Sequence, residues 1–318
     1  MKKIIIIGCP GAGKSTFARE LRDLTGPPLI YLDRLWHKAD RTTVTKEEFD
    51  AALVSAMAGD KWIIDGNYIR TLEMRLQHCD TVFFLDFPTE LCLEGAEARI
   101  GTVREDLPWV EEAFDPEFRQ WILDFSREQL PQIYELLEKY KEDVNIITFH
   151  SRQETADWLK FENLKQHFQV IRAQDEYQRA GAYYVRIQAM AKAYHITLQE
   201  EFDEIDGPGC YYVLILDNDF PVATCRWFET EEGTVEIGRV VVLPEYRGQH
   251  LGFLVMREAE NWIREAGYRK IIISSHKGYE KFYEKLGFVY NEHYTAHSGT
   301  FDCVYMEKRT GQEKPHEN

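Results

Sequence analysis

Two stretches of this sequence combine residue types at spacings that suit the binding of a diphosphate. In the first, the apolar run Lys3-Ile4-Ile5-Ile6-Ile7 meets Gly8-Cys9-Pro10-Gly11-Ala12-Gly13-Lys14-Ser15-Thr16, and Phe17, Ala18 and Leu21 continue at helical spacing. Strand, G-x-x-x-x-G-K-S turn and helix in that order make a phosphate-binding loop. Gly8, Gly11 and Gly13, with the small Ala12 between them, let the main chain approach a polyphosphate and aim N–H groups at it, and the helix start adds its dipole. Lys14 is placed to reach the β- and γ-phosphates of ATP and the Ser15 hydroxyl to ligate Mg2+, with Thr16 completing the set. In the second stretch, Glu236-Ile237-Gly238-Arg239-Val240-Val241-Val242 runs into Leu243-Pro244-Glu245-Tyr246-Arg247-Gly248-Gln249-His250-Leu251-Gly252, again a buried strand, a glycine-bearing turn and a helix. This turn offers amides to a pyrophosphate but has no lysine for a γ-phosphate, which suits a ligand held by its tail and not one that gives up a phosphoryl group.

The elements that must position these residues follow from periodicity. In the first half, strands are expected at 27–32, 61–65, 81–86 and 144–148, separated by helical stretches that include a capped helix over 45–57 and one long helix over 116–140. That alternation predicts a doubly wound parallel sheet. Ligands of such sheets bind at the carboxyl ends of strands, so Asp33 stands where an acceptor substrate would be met, or caps a helix. Asp65 stands where a carboxylate would hold the Mg2+ hydration shell through water. Arg99, Arg104 and Arg119 are candidates to neutralise a phosphoryl group in transfer, or are solvated helix residues. A helix over 151–167 leads to a strand at 166–172, where a second domain is expected to begin. Its pattern is a helix over 183–194, an acidic segment with Asp203, Glu204 and Asp206 that could attract a cationic amine, an antiparallel meander over 211–243, a helix over 251–266, a strand over 269–274, a short helix over 277–286 and a last strand over 301–307.

Composition sets the outer bounds. The 318 residues suffice for two domains with their own cores, and 44% hydrophobic content is that of globular chains. Residues 311–318 read as a disordered tail. The net charge of −16 opposes a phosphate-neutralising surface, so nucleic acid is not an expected partner. No apolar run approaches a membrane span, and the isoleucine run ends in the phosphate loop and not at a cleavage site, so no membrane is expected and a cytoplasmic location is. The six cysteines, Cys9, Cys79, Cys92, Cys210, Cys225 and Cys303, contain no C-x-x-C pair and point away from zinc or a disulfide framework.

Two resemblances sharpen this reading. Over about residues 2–159, the loop together with Leu32-Asp33, Trp62-Ile63-Ile64-Asp65-Gly66-Asn67-Tyr68 and Phe84-Leu85-Asp86-Phe87-Pro88 resembles the adenylate-kinase-like and shikimate-kinase-like P-loop phosphotransferases, including small bacterial topology-modulation proteins. It implies ATP binding with Mg2+ and transfer to a small phosphoryl acceptor, with Lys14 and Asp65 at the chemistry and Asp33, Arg70, Arg99 and Arg104 toward the substrate. Asn67-Tyr68 replaces the Phe-Pro that follows Asp-Gly in adenylate kinases, so AMP is not carried over as the acceptor. Over about residues 168–308, Arg239 through Gly252 and Phe282-Tyr283-Glu284-Lys285-Leu286-Gly287-Phe288 resemble GNAT acetyltransferases. That implies acetyl-CoA held by Val240, Val241 and Val242 and by Arg247, Gly248, Gln249, His250, Leu251 and Gly252, an amine acceptor, Tyr283 as the acid that protonates the thiolate and Glu236 as the base, with a water relay near His276 as the other route. His250 stands where the family pattern has its first glycine, and a negative φ there is expected to keep the amide in place.

The expectation is thus an α/β chain: a P-loop domain over 1–165, and an α+β GNAT domain with a mostly antiparallel sheet over 166–310. The first domain is a small-molecule kinase or a non-catalytic ATP-sensing or interaction module. A homodimer through the second is expected by analogy.

Overall fold

Ile4 to Ile7 are wholly buried because β1 (Lys3–Gly8) is the middle strand of a parallel sheet covered on both faces, which is why it reads as an unbroken apolar run. In the computed structural model, which describes residues 1–298 and 301–309, the chain divides into two compact units, 1–162 and 163 onward. The expected disordered tail, 311–318, lies outside the described residues.

In the first unit β1 is followed by α1 (Lys14–Thr25), β2 (Leu29–Tyr31), α2 (Leu32–Trp36), α3 (Lys46–Met57), β3 (Trp62–Asp65), α4 (Leu72–Leu76), β4 (Thr81–Leu85), α5 (Thr89–Glu97), α6 (Pro116–Glu128), α7 (Leu130–Tyr140) and β5 (Asn145–Phe149). All five strands pair in parallel in the order β2-β3-β1-β4-β5. The carboxyl ends of β1 and β3 therefore lie side by side, with Ile6 in register with Asp65, and the glycine-rich turn 8–13 leaves from that edge. Thr45 caps α3 in a reciprocal box with Glu48, as its sequence predicts. The single helix expected over 116–140 is two, broken at Gln129, because Pro131 lacks the N–H an uninterrupted helix would use there and instead sits in the first turn of α7. Asp33 is neither at a strand end nor a cap: it is the second residue of α2, whose cap is Tyr31.

Helix α8 (Arg152–His167) carries the chain into the second unit. There β6 (Gln169–Ala173), α9 (Glu176–Arg186), α10 (Lys192–Tyr194), α11 (Leu198–Glu201), β7 (Cys210–Asp217), β8 (Phe220–Glu231), β9 (Thr234–Val242), α12 (Leu251–Glu265), β10 (Lys270–His276), α13 (Glu280–Glu284), β11 (Val289–Ser298) and β12 (Phe301–Arg309) follow. The sheet order is β11-β12-β10-β9-β8-β7-β6, antiparallel at every junction except β9 with β10, whose link is the α12 crossover. Helix α12 buries Leu254, Val255, Met256, Ala259 and Ile263 against this sheet, and Trp227 stacks on Tyr211 with ring centres 4.3 Å apart. The expected helix over 183–194 is interrupted by a π turn, Ile187–Ala191, right after the fully buried Arg186. Strand β11 had no counterpart among the expected elements. No helix among the described residues is long and apolar enough to cross a membrane.

Candidate functional site

The glycine-rich turn between β1 and α1 is held in place by backbone contact too close for any side chain. A Cβ on Gly11, whose φ is +83°, would lie 1.9 Å from the Cys92 carbonyl oxygen, and one on Gly95 would lie 2.1 Å from the Gly11 oxygen. Loop and α5 are thus locked by two glycines, one of them 84 residues away from the other in sequence. Gly13, at φ +95°, forms the N-cap of α1. Lys14 Nζ donates to the Cys9 oxygen at 3.0 Å and Ser15 Oγ to Asp106 at 3.0 Å, while the Thr16 hydroxyl accepts from Arg19. Ala12 is buried under the turn, its N–H bonded to the Cys9 oxygen.

A cavity of about 1340 Å3 opens at this edge, and Lys14, Ser15, Asp33, Asp65, Arg99 and Arg104 all line it. The structure therefore gathers these six with Gly11, Gly13 and Thr16, which were also singled out in the sequence. Arg70 is not with them: it is exposed, forks onto Asp50 at 2.6 and 2.9 Å, and lines no part of the cavity. Arg119 does not line it either. Arg104 is tied to Asp106 and to Glu111 (2.6 Å), and Arg99 to the same Glu111 (3.2 Å), so both arginines are already neutralised. Asp65 is 5% exposed with Oδ1 unpartnered, and burial pushes its carboxyl up to about 6 against the pull of Lys14 and Ser15. Beside it Asn67 is 6% exposed with neither amide atom partnered. Asp33 accepts from the Tyr68 hydroxyl at 2.8 Å.

Sequence reading passed over Arg75. Fully buried on α4, it donates to the carbonyls of Gly66 (2.7 Å), Asn67 (2.5 Å) and Tyr68 (3.0 Å), and so fixes the turn that presents Asn67 and Tyr68. Asp106 was missed as well. Neither lies in a motif, and only the fold brings them near the loop.

In the second unit β9 and β10 pair from Thr234/Lys270 to Glu236/Ile272, then run on to Val242 and His276 without further register to each other. The two parallel strands thus fork, and Val240, Val241 and Val242 lie on the arm past the branch point. A bulge drives the divergence: between Arg226/Gly238 and Thr224/Val241, the single residue Cys225 on β8 opposes Arg239 and Val240, and Arg239 takes φ +51°. Glu236 is the last paired residue. It is half-buried, and burial raises its carboxyl above the ordinary range despite Ser274, Arg226 and Arg239 nearby. Tyr283 is 8% exposed between Phe282 and Phe288, and burial raises its phenol so that it stays protonated. Gly252 faces the Phe282 ring, where a Cβ would come within 3.3 Å. Arg247 donates to the Val242 oxygen at 3.4 Å, and Gly248, Gln249 and His250 lead into α12, whose first residue Leu251 is buried. His250 departs from expectation: it is the N-cap at φ +63°, so it keeps the left-handed path of a glycine instead of a negative φ.

The acidic segment also differs from a loop that attracts amines. Asp206 pairs with Arg186 and Arg226, Asp203 with Arg226 at 2.7 Å, and Glu201 with Arg186 at 2.7 Å, while Arg239 reaches the Glu201 carbonyl at 3.2 Å. These carboxylates are consumed by three arginines behind the fork.

Comparison with known proteins bears on this half. The profile of the acetyltransferase (GNAT) family matches residues 130–288, half of the chain. The chain belongs to that family. An uncharacterized N-acetyltransferase of Bacillus subtilis, YjcF, is 27% identical over 116 residues, 36% of this chain and 81% of the relative. An uncharacterized acetyltransferase of Streptococcus pyogenes serotype M1 is 30% identical over 91 residues, 29% of this chain and 64% of the relative. Among solved structures, an acyl-CoA N-acyltransferase from Pseudomonas aeruginosa aligns with 44% of this chain and 97% of its own at 20% identity and a TM-score of 0.40.

Proposed function

We propose that the second unit transfers an acetyl group from acetyl-CoA to the amine of a small molecule. The observation that carries this is the β9–β10 fork beside the N-terminus of α12, with Glu236 at the branch point and Tyr283 buried on α13. Strand β9 past Glu236 keeps main-chain groups that β10 does not take up, which suits an amide-bearing tail alongside Val240, Val241 and Val242. The turn over 247–252 would hold the pyrophosphate. The thioester supplies an activated acyl carbon. Glu236, with its raised pKa, takes the proton from the attacking amine nitrogen, a C–N bond forms as the C–S bond breaks, and Tyr283 gives its proton to the thiolate. The test is thiol release with a panel of polyamines, amino acids and aminoglycosides. Tyr283→Phe is expected to lower kcat by about a hundredfold while the affinity for acetyl-CoA, read by calorimetry, stays put. Absence of thiol release with every amine would overturn the assignment.

For the first unit we propose an ATP site that uses the loop, Lys14 and Ser15, with Mg2+ held by the Ser15 hydroxyl and by Asp65 through water. Asp65 Oδ1, buried and unpartnered at the cavity wall, supports this reading. Calorimetry with ATP and Mg2+ tests it. A flat trace would sink it.

A further inference from the structure

The cavity of the first unit is larger than one nucleotide needs: at about 1340 Å3 it exceeds the range of roughly 300–1,000 Å3 typical of single-ligand sites. Beyond the phosphate loop its walls change character. Trp36, Tyr68, Trp109, Phe118 and Trp121 line this part, and Trp121 is left 40% exposed. His37 and Trp109 meet edge to face at 5.1 Å, and Phe118 lies against Trp121 at 5.8 Å. Such walls hold a planar ring by stacking.

Charge on this side decides what the ring carries. An anionic acceptor needs cations to spare, yet Arg99 and Arg104 both converge on Glu111, and Arg104 is tied to Asp106 as well. Arg41 stands on an exposed turn at the rim, where water screens it, and Arg19, the other lining arginine, lies on α1 and donates to the Thr16 hydroxyl, on the side of the glycine-rich turn. Of the cavity-wall groups with a buried unpartnered atom, His37 Nδ1, Asp65 Oδ1, Arg99 Nε and the Asn67 carboxamide, the carboxamide, 6% exposed, is the one with both a donor and an acceptor open. A buried amide of that kind is costly unless a ligand completes it. Arg75 holds the backbone of the turn that carries it through bonds to three carbonyls. Beside it, Asp33 is oriented by the Tyr68 hydroxyl.

We propose that the phosphoryl acceptor is an uncharged alcohol built on a planar ring with hydrogen-bonding edges, the class to which nucleosides belong, and not a nucleoside monophosphate or a carboxylate. This inference rests on the ATP reading of the same site. The ring stacks on the aromatic wall, Asn67 pairs with a polar edge of the acceptor, and Asp33 accepts the proton of its hydroxyl. The alcohol oxygen forms the new O–P bond as the bond from the γ-phosphorus to the bridging oxygen breaks, so ATP and alcohol give ADP, the phosphate ester and one proton. Tyr68 is a positioning residue for Asp33.

The experiment uses the full chain with ATP and Mg2+ and compares thymidine, cytidine, adenosine and guanosine with their 5′-monophosphates, following ADP release and phosphorylated product. At least one nucleoside is expected to be phosphorylated with a kcat/KM at least a hundredfold above that of its own monophosphate. Asn67→Ala should raise the KM for that nucleoside at least tenfold with the KM for ATP unchanged, and Asp33→Asn should abolish transfer with ATP binding intact by calorimetry. Preference for the monophosphates, or no transfer to any nucleoside by a protein that binds ATP, overturns the inference alone. Absence of ATP binding overturns the reading on which it rests.

Discussion

His250 shows how far a motif can be read residue by residue. At φ +63° it occupies the left-handed region that costs a side-chain-bearing residue about 1 kcal/mol, so the turn keeps the glycine path at the expense of strain. His250→Gly is therefore expected to raise the thermal midpoint of the second unit by about 2–4 °C, measured by calorimetry, with acetyl-CoA affinity held or improved. Glu236 gives the second prediction at this scale. Burial at the fork favours its neutral form, with Ser274, Arg226 and Arg239 working against that and Asp203 with it, and the net shift is upward. A base must be ionised to act, so kcat/KM for acetyl transfer should climb as pH rises through a value above the ordinary glutamate range, and Glu236→Gln should lower the rate by about a hundredfold or more and remove that limb. The stability sign is opposite: the group's contribution is present at low pH and is lost as pH rises through the shifted value. The placement of Lys14, Ser15 and the 247–252 turn between a strand and a helix was legible because each motif is contiguous. Asn67 sat inside a stretch already singled out, yet its unpartnered amide follows from burial, which spacing does not report.

At the scale of elements, the sequence announces what is local and hides what is convergent. The alternation of apolar runs and helical stretches was enough for a parallel sheet, and the tight turns for an antiparallel meander. The break at Gln129 was also within reach, since Pro131 marks it, but the surrounding helical periodicity is strong on both sides and outweighs one residue. The lock between loop and α5 was not within reach. Gly95 lies in a charged helical stretch with nothing to distinguish it from a surface glycine, and its use is visible only once its missing Cβ is seen to face the Gly11 oxygen at 2.1 Å. Gly95→Ala is accordingly expected to destabilise the first unit by about 2 kcal/mol and to weaken ATP binding at least tenfold by displacing the loop, read by thermal melting and calorimetry. Gly59→Ala, where the added methyl would meet only the Lys61 oxygen at 3.6 Å, should change neither. Equal ATP affinity in both variants would mean that α5 does not set the position of the loop.

The whole molecule joins two units, each with its own sheet and its own glycine-bearing β-to-α turn, and the two proposed ligands raise the question of whether one is felt at the site of the other. Coupling is a free energy and is reciprocal: if ATP changes the affinity for acetyl-CoA by some factor, acetyl-CoA must change the affinity for ATP by the same one. A tenfold effect corresponds to about 1.4 kcal/mol and would be plain in either titration. Lys14→Ala probes this cleanly, because the bond from Nζ to the Cys9 oxygen is confined to the loop and its loss should leave the first unit folded. Removing a charged donor from phosphate is expected to cost at least tenfold in ATP affinity and to stop phosphoryl transfer, while kcat/KM for acetyl transfer stays within about twofold of the parent protein. That outcome, with ATP leaving acetyl-CoA binding unchanged in the parent, describes two catalysts on one chain. Collapse of acetyl transfer in Lys14→Ala, matched by mutual dependence of the two affinities, would instead make the first unit an ATP sensor that governs the second, and the size of the shared factor would give the strength of that control.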